Sequence, residues 1–241
     1  MMNPIAMIFA AGRGERMRPL TDAHPKPLLE AGGKPLIVWQ IESLARAGFE
    51  TIVINHAWLG EQYEPALGDG SRWGVTLRYS PEGDALETAG GIAQALPLLE
   101  ADGEPCAFVA IAGDLYTGFD YASLREPVTR LTRAPDPGMH LVMVPNPLFH
   151  PRGDFVLRDD GTLCADETLP RLTFGSIGVY DTRMFRDIPR GTVRKLAPYF
   201  AQTIAAGRAT GQRFDGIWHN VGTPAELAEV DARLRASPPL R

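Results

Sequence analysis

The segment from Ala11 to Pro19 combines the residue types that bind phosphate groups. Gly12 and Gly14 let main-chain N–H groups approach an anion, because no Cβ atom blocks the way. Arg16 can add two parallel, charge-assisted hydrogen bonds to phosphate oxygens. The segment follows the apolar run Ile5–Ala10, which is typical of a buried parallel strand, and open α/β sheets bind ligands at the carboxyl ends of such strands. We therefore predict a phosphate-binding loop rather than a solvated surface turn.

This loop differs from two common nucleotide-binding patterns. No Gly-Lys-Ser/Thr follows it, as in a Walker loop, and no third glycine leads into a helix, as in a dinucleotide fingerprint. Pro19, Pro25 and Pro27 keep the next stretch irregular. We expect the loop to wrap over a triphosphate rather than to cap it with a long helix.

Two more charged residues occupy positions where they can act on phosphates. Lys26 stands between two prolines, which stiffen the backbone and aim its side chain. Asp114 follows the apolar run Cys106–Ala112, so the predicted sheet brings its carboxylate to the same edge as the loop, where it can hold a hard cation. The alternatives are a solvated surface lysine and an ordinary turn aspartate. We favour the functional interpretation for both.

Apolar runs alternate with helical patterns over the first 145 residues. Strands are predicted at Ile5–Ala10, Thr51–Asn55, Val75–Tyr79, Cys106–Ala112 and Met139–Val144, and helices at Pro35–Ala47, Leu59–Leu67, Thr88–Leu98 and Tyr121–Arg130. The alternation predicts an α/β fold with a Rossmann-like, mixed, mostly parallel sheet flanked by helices. After residue 145 a hairpin over Asp154–Cys164 and a strand at Leu172–Tyr180 indicate a small antiparallel insertion. Helices follow at Lys195–Ala206 and Thr223–Ala236.

We expect one domain over residues 1–241, with a nucleotide-binding part at about 1–145, a sugar-binding part at about 146–223 and a C-terminal helix at about 224–236. The net charge of −5 argues against a nucleic-acid partner. Residues 12–34 nevertheless contain five basic and three acidic side chains, a local excess that suits a small anionic ligand. No apolar run reaches the length of a membrane helix, and the two cysteines make no disulfide framework, so we expect a cytoplasmic protein with no membrane partner. No oligomeric state is predicted.

The composite of motifs resembles the sugar-1-phosphate nucleotidyltransferase family. The resemblance covers about residues 3 to 236. The motifs are Gly12-Arg13-Gly14-Glu15-Arg16 with Pro19-Leu20-Thr21 and Lys26-Pro27, then Thr88-Ala89-Gly90-Gly91-Ile92, Ala112-Gly113-Asp114 and Trp218-His219-Asn220-Val221-Gly222-Thr223. A narrower set, including Asn55-His56-Ala57-Trp58, Ser80-Pro81-Glu82-Gly83 and Lys195-Leu196-Ala197-Pro198, resembles the branch that acts on UTP and N-acetylmuramate α-1-phosphate in peptidoglycan recycling. The implied substrates are UTP and a sugar 1-phosphate, and the implied cofactor is Mg²⁺.

The resemblance also implies residue roles. Arg16, Lys26 and Asp114 are the expected catalytic residues; Ala11, Gly12, Arg13, Gly14, Glu82 and Gly90 are expected to bind the nucleotide; Glu87, Asn146, Asp154, Glu167 and Lys195 are candidates for binding the sugar phosphate. For Gly90, close approach of a flat ring would explain a glycine in the first turn of a helix. Lys195 is nearly as well explained as an exposed lysine at a helix start.

Asn220 departs from the family pattern, which often has an aspartate here to complete the Mg²⁺ site. An amide oxygen can still ligate Mg²⁺ but brings no negative charge. Either Asn220 is a neutral ligand beside Asp114, or Asp114 and the phosphates bind the ion with water. We favour the first.

Two alternatives to uridylyl transfer remain at the level of sequence. The first alternative changes only the nucleotide or the sugar, as in glucose-1-phosphate thymidylyl- or uridylyltransferases and mannose-1-phosphate guanylyltransferases. The other is a regulator that binds nucleotide sugars without catalysis. Only Asn220 supports that class, whereas the set of Arg16, Lys26 and Asp114 argues against it.

Overall fold

A computed structural model describes residues 4–100 and 103–236. These residues form two compact units. The first comprises residues 4–85, 112–122 and 217–236, and the second comprises residues 86–100, 103–111 and 123–216. Chain segments alternate between the two units, so neither is a continuous stretch of sequence. The single-domain division predicted above therefore stays a prediction.

The strands, in chain order, are β1 (Ile5–Phe9), β2 (Glu30–Ala31), β3 (Lys34–Pro35), β4 (Thr51–His56), β5 (Thr76–Pro81), β6 (Ala107–Ala112), β7 (Leu115–Thr117), β8 (Met139–Val144), β9 (Val156–Leu157), β10 (Leu163–Cys164), β11 (Thr173–Asp181), β12 (Ala209–Arg213) and β13 (Trp218–Asn220). The α-helices are α1 (Leu36–Arg46), α2 (Tyr63–Leu67), α3 (Glu87–Leu99), α4 (Arg125–Arg133), α5 (Ala197–Ala205) and α6 (Pro224–Ala236). Short 3₁₀ turns include Glu15–Met17, Leu20–Asp22 and Lys26–Leu28.

The first unit contains a parallel ladder. Strand β4 pairs in parallel with β1 on one side and with β5 on the other, so the order is β1-β4-β5. The central residues of β1 and β4 are buried, as their apolar sequences predict for parallel strands. Two short antiparallel pairs, β2·β3 and β7·β13, and helices α1, α2 and α6 complete the unit.

The second unit contains a mixed ladder. Strand β11 runs antiparallel to both β6 and β8, and β12 runs parallel to β8. The predicted hairpin is present as the antiparallel pair β9·β10. Helices α3, α4 and α5 belong to this unit. The predicted fold class, a mostly parallel mixed sheet with helices and a small antiparallel part, is confirmed.

Most predicted elements are present with shifted ends. The helix predicted from Thr88 begins one residue earlier, at Glu87, and Leu86 is its capping residue. The helix predicted from Lys195 begins at Ala197, which leaves Lys195 exposed in the preceding loop. The part of the chain that the structure describes contains no helix long and apolar enough to cross a membrane.

Candidate functional site

The loop after β1 is anchored by its glycine and its methionine. Gly14 has a φ of +65°, which favours glycine, and a Cβ atom built there would lie 3.0 Å from Thr21 Cγ2 and 3.1 Å from Lys26 Cβ. The Thr21 hydroxyl donates to the Gly14 carbonyl at 2.9 Å. Met17 is fully buried in a cluster that includes Val221. Gly12 and Arg16 are exposed, so the loop presents them from a fixed base.

Ala10, the residue directly before the loop, is held on both sides. The Ala10 N–H donates to Asn55 Oδ1 at 3.0 Å, and the Tyr63 hydroxyl donates to the Ala10 carbonyl at 2.9 Å. Burial, with a smaller contribution from the charge of Asp114, raises the pKa of Tyr63 far above its ordinary value. Tyr63 is therefore a neutral donor at physiological pH, and both bonds persist there.

Lys26 and Asp114, which are 88 positions apart in sequence, form an ion pair between Lys26 Nζ and Asp114 Oδ2. The side chains are 11% and 24% exposed. Gly113 makes the approach possible, because its N–H donates to the Phe9 carbonyl at 2.9 Å and a Cβ atom there would lie 2.9 Å from that same oxygen. The end of β1 is thus in direct contact with Gly113, the residue before Asp114.

Strand β13 brings Asn220 and Gly222 to the same region. Asn220 pairs with Leu115, and the Val221 N–H donates to the Asp114 carbonyl at 3.0 Å. A Cβ atom built on Gly222 would lie 3.1 Å from Arg16 Nη2, so the guanidinium lies against this glycine. Arg16 and Asp114 therefore contact neighbouring residues of one short segment.

The remaining nucleotide candidates of the first unit flank the loop. The Arg13 guanidinium lies 4.3 Å from the centre of the Trp58 ring, a cation–π contact. The Trp58 indole also donates to the Thr21 carbonyl at 2.9 Å, so one side chain supports the loop at two points. Glu82 is half-buried, and its Oε1 accepts from Asn55 Nδ2 at 2.6 Å. Ala11 is half-buried at the start of the loop.

The oxygen donors of this region fit a Mg²⁺ ion. Among the described residues, no group of three or more His, Cys, Asp or Glu side chains could hold a metal ion. Mg²⁺ commonly takes one or two carboxylates and completes its shell with water and substrate phosphates. One partly exposed carboxylate at Asp114 and one neutral amide oxygen at Asn220 match that donor chemistry. The two roles stay predictions.

In the second unit, Asn146 and Asp154 are held together by β11. Asn146 Oδ1 accepts from the Thr173 hydroxyl at 2.9 Å, and its Nδ2 donates to two carbonyls of the same unit. Asp154 Oδ2 accepts from the Phe174 N–H at 2.8 Å, and Oδ1 lies 3.1 Å from His150 Nε2. Both side chains thus brace the insertion, and their proposed contacts with a sugar stay untested.

Glu87, Gly90 and Lys195 form a second group in this unit. The Gly90 N–H donates to the Arg194 carbonyl at 3.0 Å, directly before Lys195. A Cβ atom on Gly90 would lie 2.2 Å from the Thr192 carbonyl, so close backbone packing is sufficient reason for this glycine. Glu87 is exposed and has a φ of +61°. Glu167 is highly exposed and pairs with Arg171 at 3.4 Å.

The geometry of the first unit can neutralise a polyanion. The Lys26 ammonium pairs with the Asp114 carboxylate, the Lys26 side chain packs against Gly14 of the glycine loop, and the exposed Arg16 guanidinium lies against Gly222. The motifs assign no role to the side chains that support this arrangement, namely Asn55, Trp58 and Tyr63, although Asn55 and Trp58 belong to one of the motifs quoted above. For Asn55 a signal existed, because a polar residue follows the apolar run Ile52–Ile54 at the point where a buried strand ends.

Comparisons with known proteins agree with this geometry. Residues 5–142, more than half of the chain, match the family model described as Nucleotidyl transferase. The N-acetylmuramate alpha-1-phosphate uridylyltransferase of Neisseria meningitidis is 49% identical over 94% of this chain and 96% of the relative. The enzyme of the same description from Caulobacter vibrioides is 34% identical over 95% and 96%. A crystal structure of a putative glucose-1-phosphate thymidylyltransferase from Bacillus anthracis, in complex with a sucrose, has a TM-score of 0.79, 20% identity and 98% coverage of both chains.

Proposed function

Because the chain belongs to the nucleotidyl transferase family, we propose that it transfers the uridylyl group of UTP to N-acetylmuramate α-1-phosphate. The observation that carries the proposal is the ion pair of Lys26 with Asp114 beside the glycine loop, with Arg16 against Gly222 in the same unit. Two relatives named for this reaction share nearly the full length of the chain. We also propose a cytoplasmic location, which suits a UTP-dependent step that supplies cell-wall precursors.

The reaction is an in-line displacement at phosphorus. An oxygen of the sugar phosphate forms a bond to the α-phosphorus of UTP, and the bond from that phosphorus to the bridging oxygen breaks, so pyrophosphate leaves. The attacking phosphate is already an anion near neutral pH, and no general base is needed. The barrier is set by the repulsion between two polyanions and by the charge that moves to the leaving group.

The residues of the first unit divide this task. The amides of Gly12 and Gly14 and the guanidinium of Arg16 bind phosphate oxygens of UTP. Lys26 carries three N–H groups, one of which faces Asp114, and it donates to the transferring phosphoryl group. Asp114 holds the ammonium in place and, with Asn220, would hold Mg²⁺. When bound, the metal ion supplies charge neutralisation for the pyrophosphate group.

Lys195 and Glu87 are the proposed contacts to the sugar phosphate. Lys195 is exposed beside the contact between the Gly90 N–H and the Arg194 carbonyl, and Glu87 is exposed on the same helix as Gly90. An ammonium suits the phosphate of the acceptor, and a carboxylate accepts from hydroxyl or amide donors of the sugar.

Pyrophosphate release tests the proposal. The protein is incubated with Mg²⁺, one of UTP, dTTP or GTP, and one of N-acetylmuramate α-1-phosphate, glucose 1-phosphate or mannose 1-phosphate. The expected result is release that requires both substrates and is fastest with UTP and N-acetylmuramate α-1-phosphate. Faster turnover of another pair would replace the substrate assignment. Nucleotide binding without turnover of any pair would instead indicate the non-catalytic regulator.

A further inference from the structure

Asn55 is a buried polar residue that the proposed chemistry does not use. It is 2% exposed and lies near the carboxyl end of β4, after the apolar residues Ile52–Ile54. In the parallel ladder it pairs with Phe9 of β1 and with Ser80 of β5. Asn55 thus lies between β1, whose end leads into the phosphate loop, and β5, whose end leads towards Glu82.

The carboxamide of Asn55 bonds to both neighbours. Its Oδ1 accepts the N–H of Ala10 at 3.0 Å, where the phosphate loop begins. Its Nδ2 donates to Glu82 Oε1 at 2.6 Å. An amide can do both, because it carries an acceptor and a donor on one planar group, whereas a carboxylate has only acceptors. Because Asn55 is buried, a donor or acceptor of its carboxamide without a hydrogen-bond partner would destabilise the folded chain.

We infer that Asn55 is a positioning residue for UTP, which ties Ala10, directly before the phosphate loop, to the carboxylate of Glu82. The inference rests on the proposed function, in which the loop binds the triphosphate, and on the expectation that Glu82 also binds the nucleotide. A shared anchor sets the separation between these two contacts. Asn55 therefore acts on nucleotide affinity and leaves affinity for the sugar phosphate unchanged.

The variant Asn55→Asp tests this with little change in shape. One carboxylate oxygen still accepts from Ala10, while the other replaces the donor that faces Glu82. Two carboxylates at this distance oppose each other's ionisation, so they share a proton at lower pH and repel each other at high pH, where both are ionised. The expected dissociation constant for UTP with Mg²⁺, measured by titration calorimetry, is at least tenfold above wild type at pH 8. At pH 5.5 the ratio of the variant's dissociation constant to that of the wild type is expected to approach one.

The partner variant Glu82→Gln identifies the source of the pH dependence. An amide at position 82 can donate to the new carboxylate at position 55, so the hydrogen bond re-forms with reversed polarity. In the Glu82→Gln background, adding Asn55→Asp is therefore expected to cause no pH-dependent loss of UTP affinity. A pH-dependent loss that persists in this background contradicts the inference.

Two further variants keep the test decisive. Gln202→Glu adds the same charge at an exposed position of α5 and is expected to leave UTP affinity unchanged. Asn55→Ser removes the group that faces Glu82 without adding charge, and it is expected to weaken UTP binding at every pH. It replaces the first variant if Asn55→Asp does not fold.

Kinetics separate a positioning role from a structural one. The inference predicts a raised KM for UTP with an unchanged KM for the sugar phosphate. A variant that only unfolds more easily would lose active fraction and melting temperature at unchanged affinity, and that result would overturn the inference. Wild-type binding of UTP without turnover of any sugar phosphate would overturn the proposed function alone. No wild-type UTP binding would overturn both.

Discussion

Replacing Lys26 with methionine separates catalysis from stability at the centre of the site. Methionine keeps an unbranched side chain but removes the ammonium. The unbranched chain matters because Lys26 packs tightly against Gly14: a Cβ atom built on Gly14 would lie 3.1 Å from Lys26 Cβ. Removing one partner of a fully buried ion pair costs about 3–5 kcal/mol. Asp114 is 24% exposed, so water can partly replace the ammonium, and we expect a loss of about 1–2 kcal/mol.

That loss is too small to explain a large fall in rate. Domains have unfolding free energies of about 5–15 kcal/mol, so even the lower value leaves about 99% of the variant folded. Losing a positioned donor to the transition state, in contrast, lowers kcat by about 10²–10³-fold. We therefore expect Lys26→Met to fold and to lose at least about 100-fold in kcat.

The assay pairs pyrophosphate release with urea unfolding for the same preparations. Lys34→Met is the matched control, because Lys34 also pairs with a carboxylate, Glu42, at 2.5 Å and lies in the same basic segment outside the site. It is expected to keep kcat within about twofold, because Lys34 pairs with Glu42 and neither residue has a role in the proposed transfer. The account is refuted if Lys26→Met retains more than about a tenth of the wild-type kcat, or if Lys34→Met falls as far.

Three further predictions concern the metal, Arg16 and pH. Asn220→Asp adds a charged oxygen and should lower the Mg²⁺ concentration for half-maximal rate, whereas an unchanged Mg²⁺ dependence would count against a ligand role. Gly222→Ala places a methyl 3.1 Å from Arg16 Nη2 and should lower kcat/KM about tenfold. Gly118→Ala, whose methyl meets nothing closer than 3.9 Å, should leave it unchanged, and equal losses would contradict the contact. Burial lowers the pKa of His140 in the folded chain below its ordinary value of 6.5. As the pH falls below about 6.5, the unfolded chain therefore takes up the proton more readily than the folded chain, and the free energy of unfolding decreases. The melting temperature should drop less between pH 7.5 and pH 5.5 in His140→Gln than in wild type, and equal drops would exclude His140 as the cause.

Local sequence patterns predict elements well where the chain marks their ends. Strand β8 is predicted and found at Met139–Val144, because Pro137-Gly138 precedes it and Pro145 follows it. The start of α3 is different. Its first turn is set by the bonds between the segment at Arg194 and residues Leu86 and Gly90, and no local preference of Thr88 reveals a contact about a hundred positions away.

The candidate site likewise has features that the sequence predicts and features that it does not. The meeting of Lys26 and Asp114 follows from the rule that strand ends of a parallel sheet share one edge, together with the family resemblance. Side-chain partners are harder to predict. Asn146 and Asp154 were chosen as polar residues of the insertion, but only the folded chain shows that Thr173 and Phe174 use their oxygens.

A crystal structure with UTP and Mg²⁺ tests the central claim most directly. The account predicts triphosphate oxygens within hydrogen-bond distance of the Gly12–Gly14 amides and of Arg16, with Lys26 Nζ on the α-phosphate and the metal on Asp114. A triphosphate bound away from this loop, with Lys26 and Asp114 still paired only to each other, would contradict it.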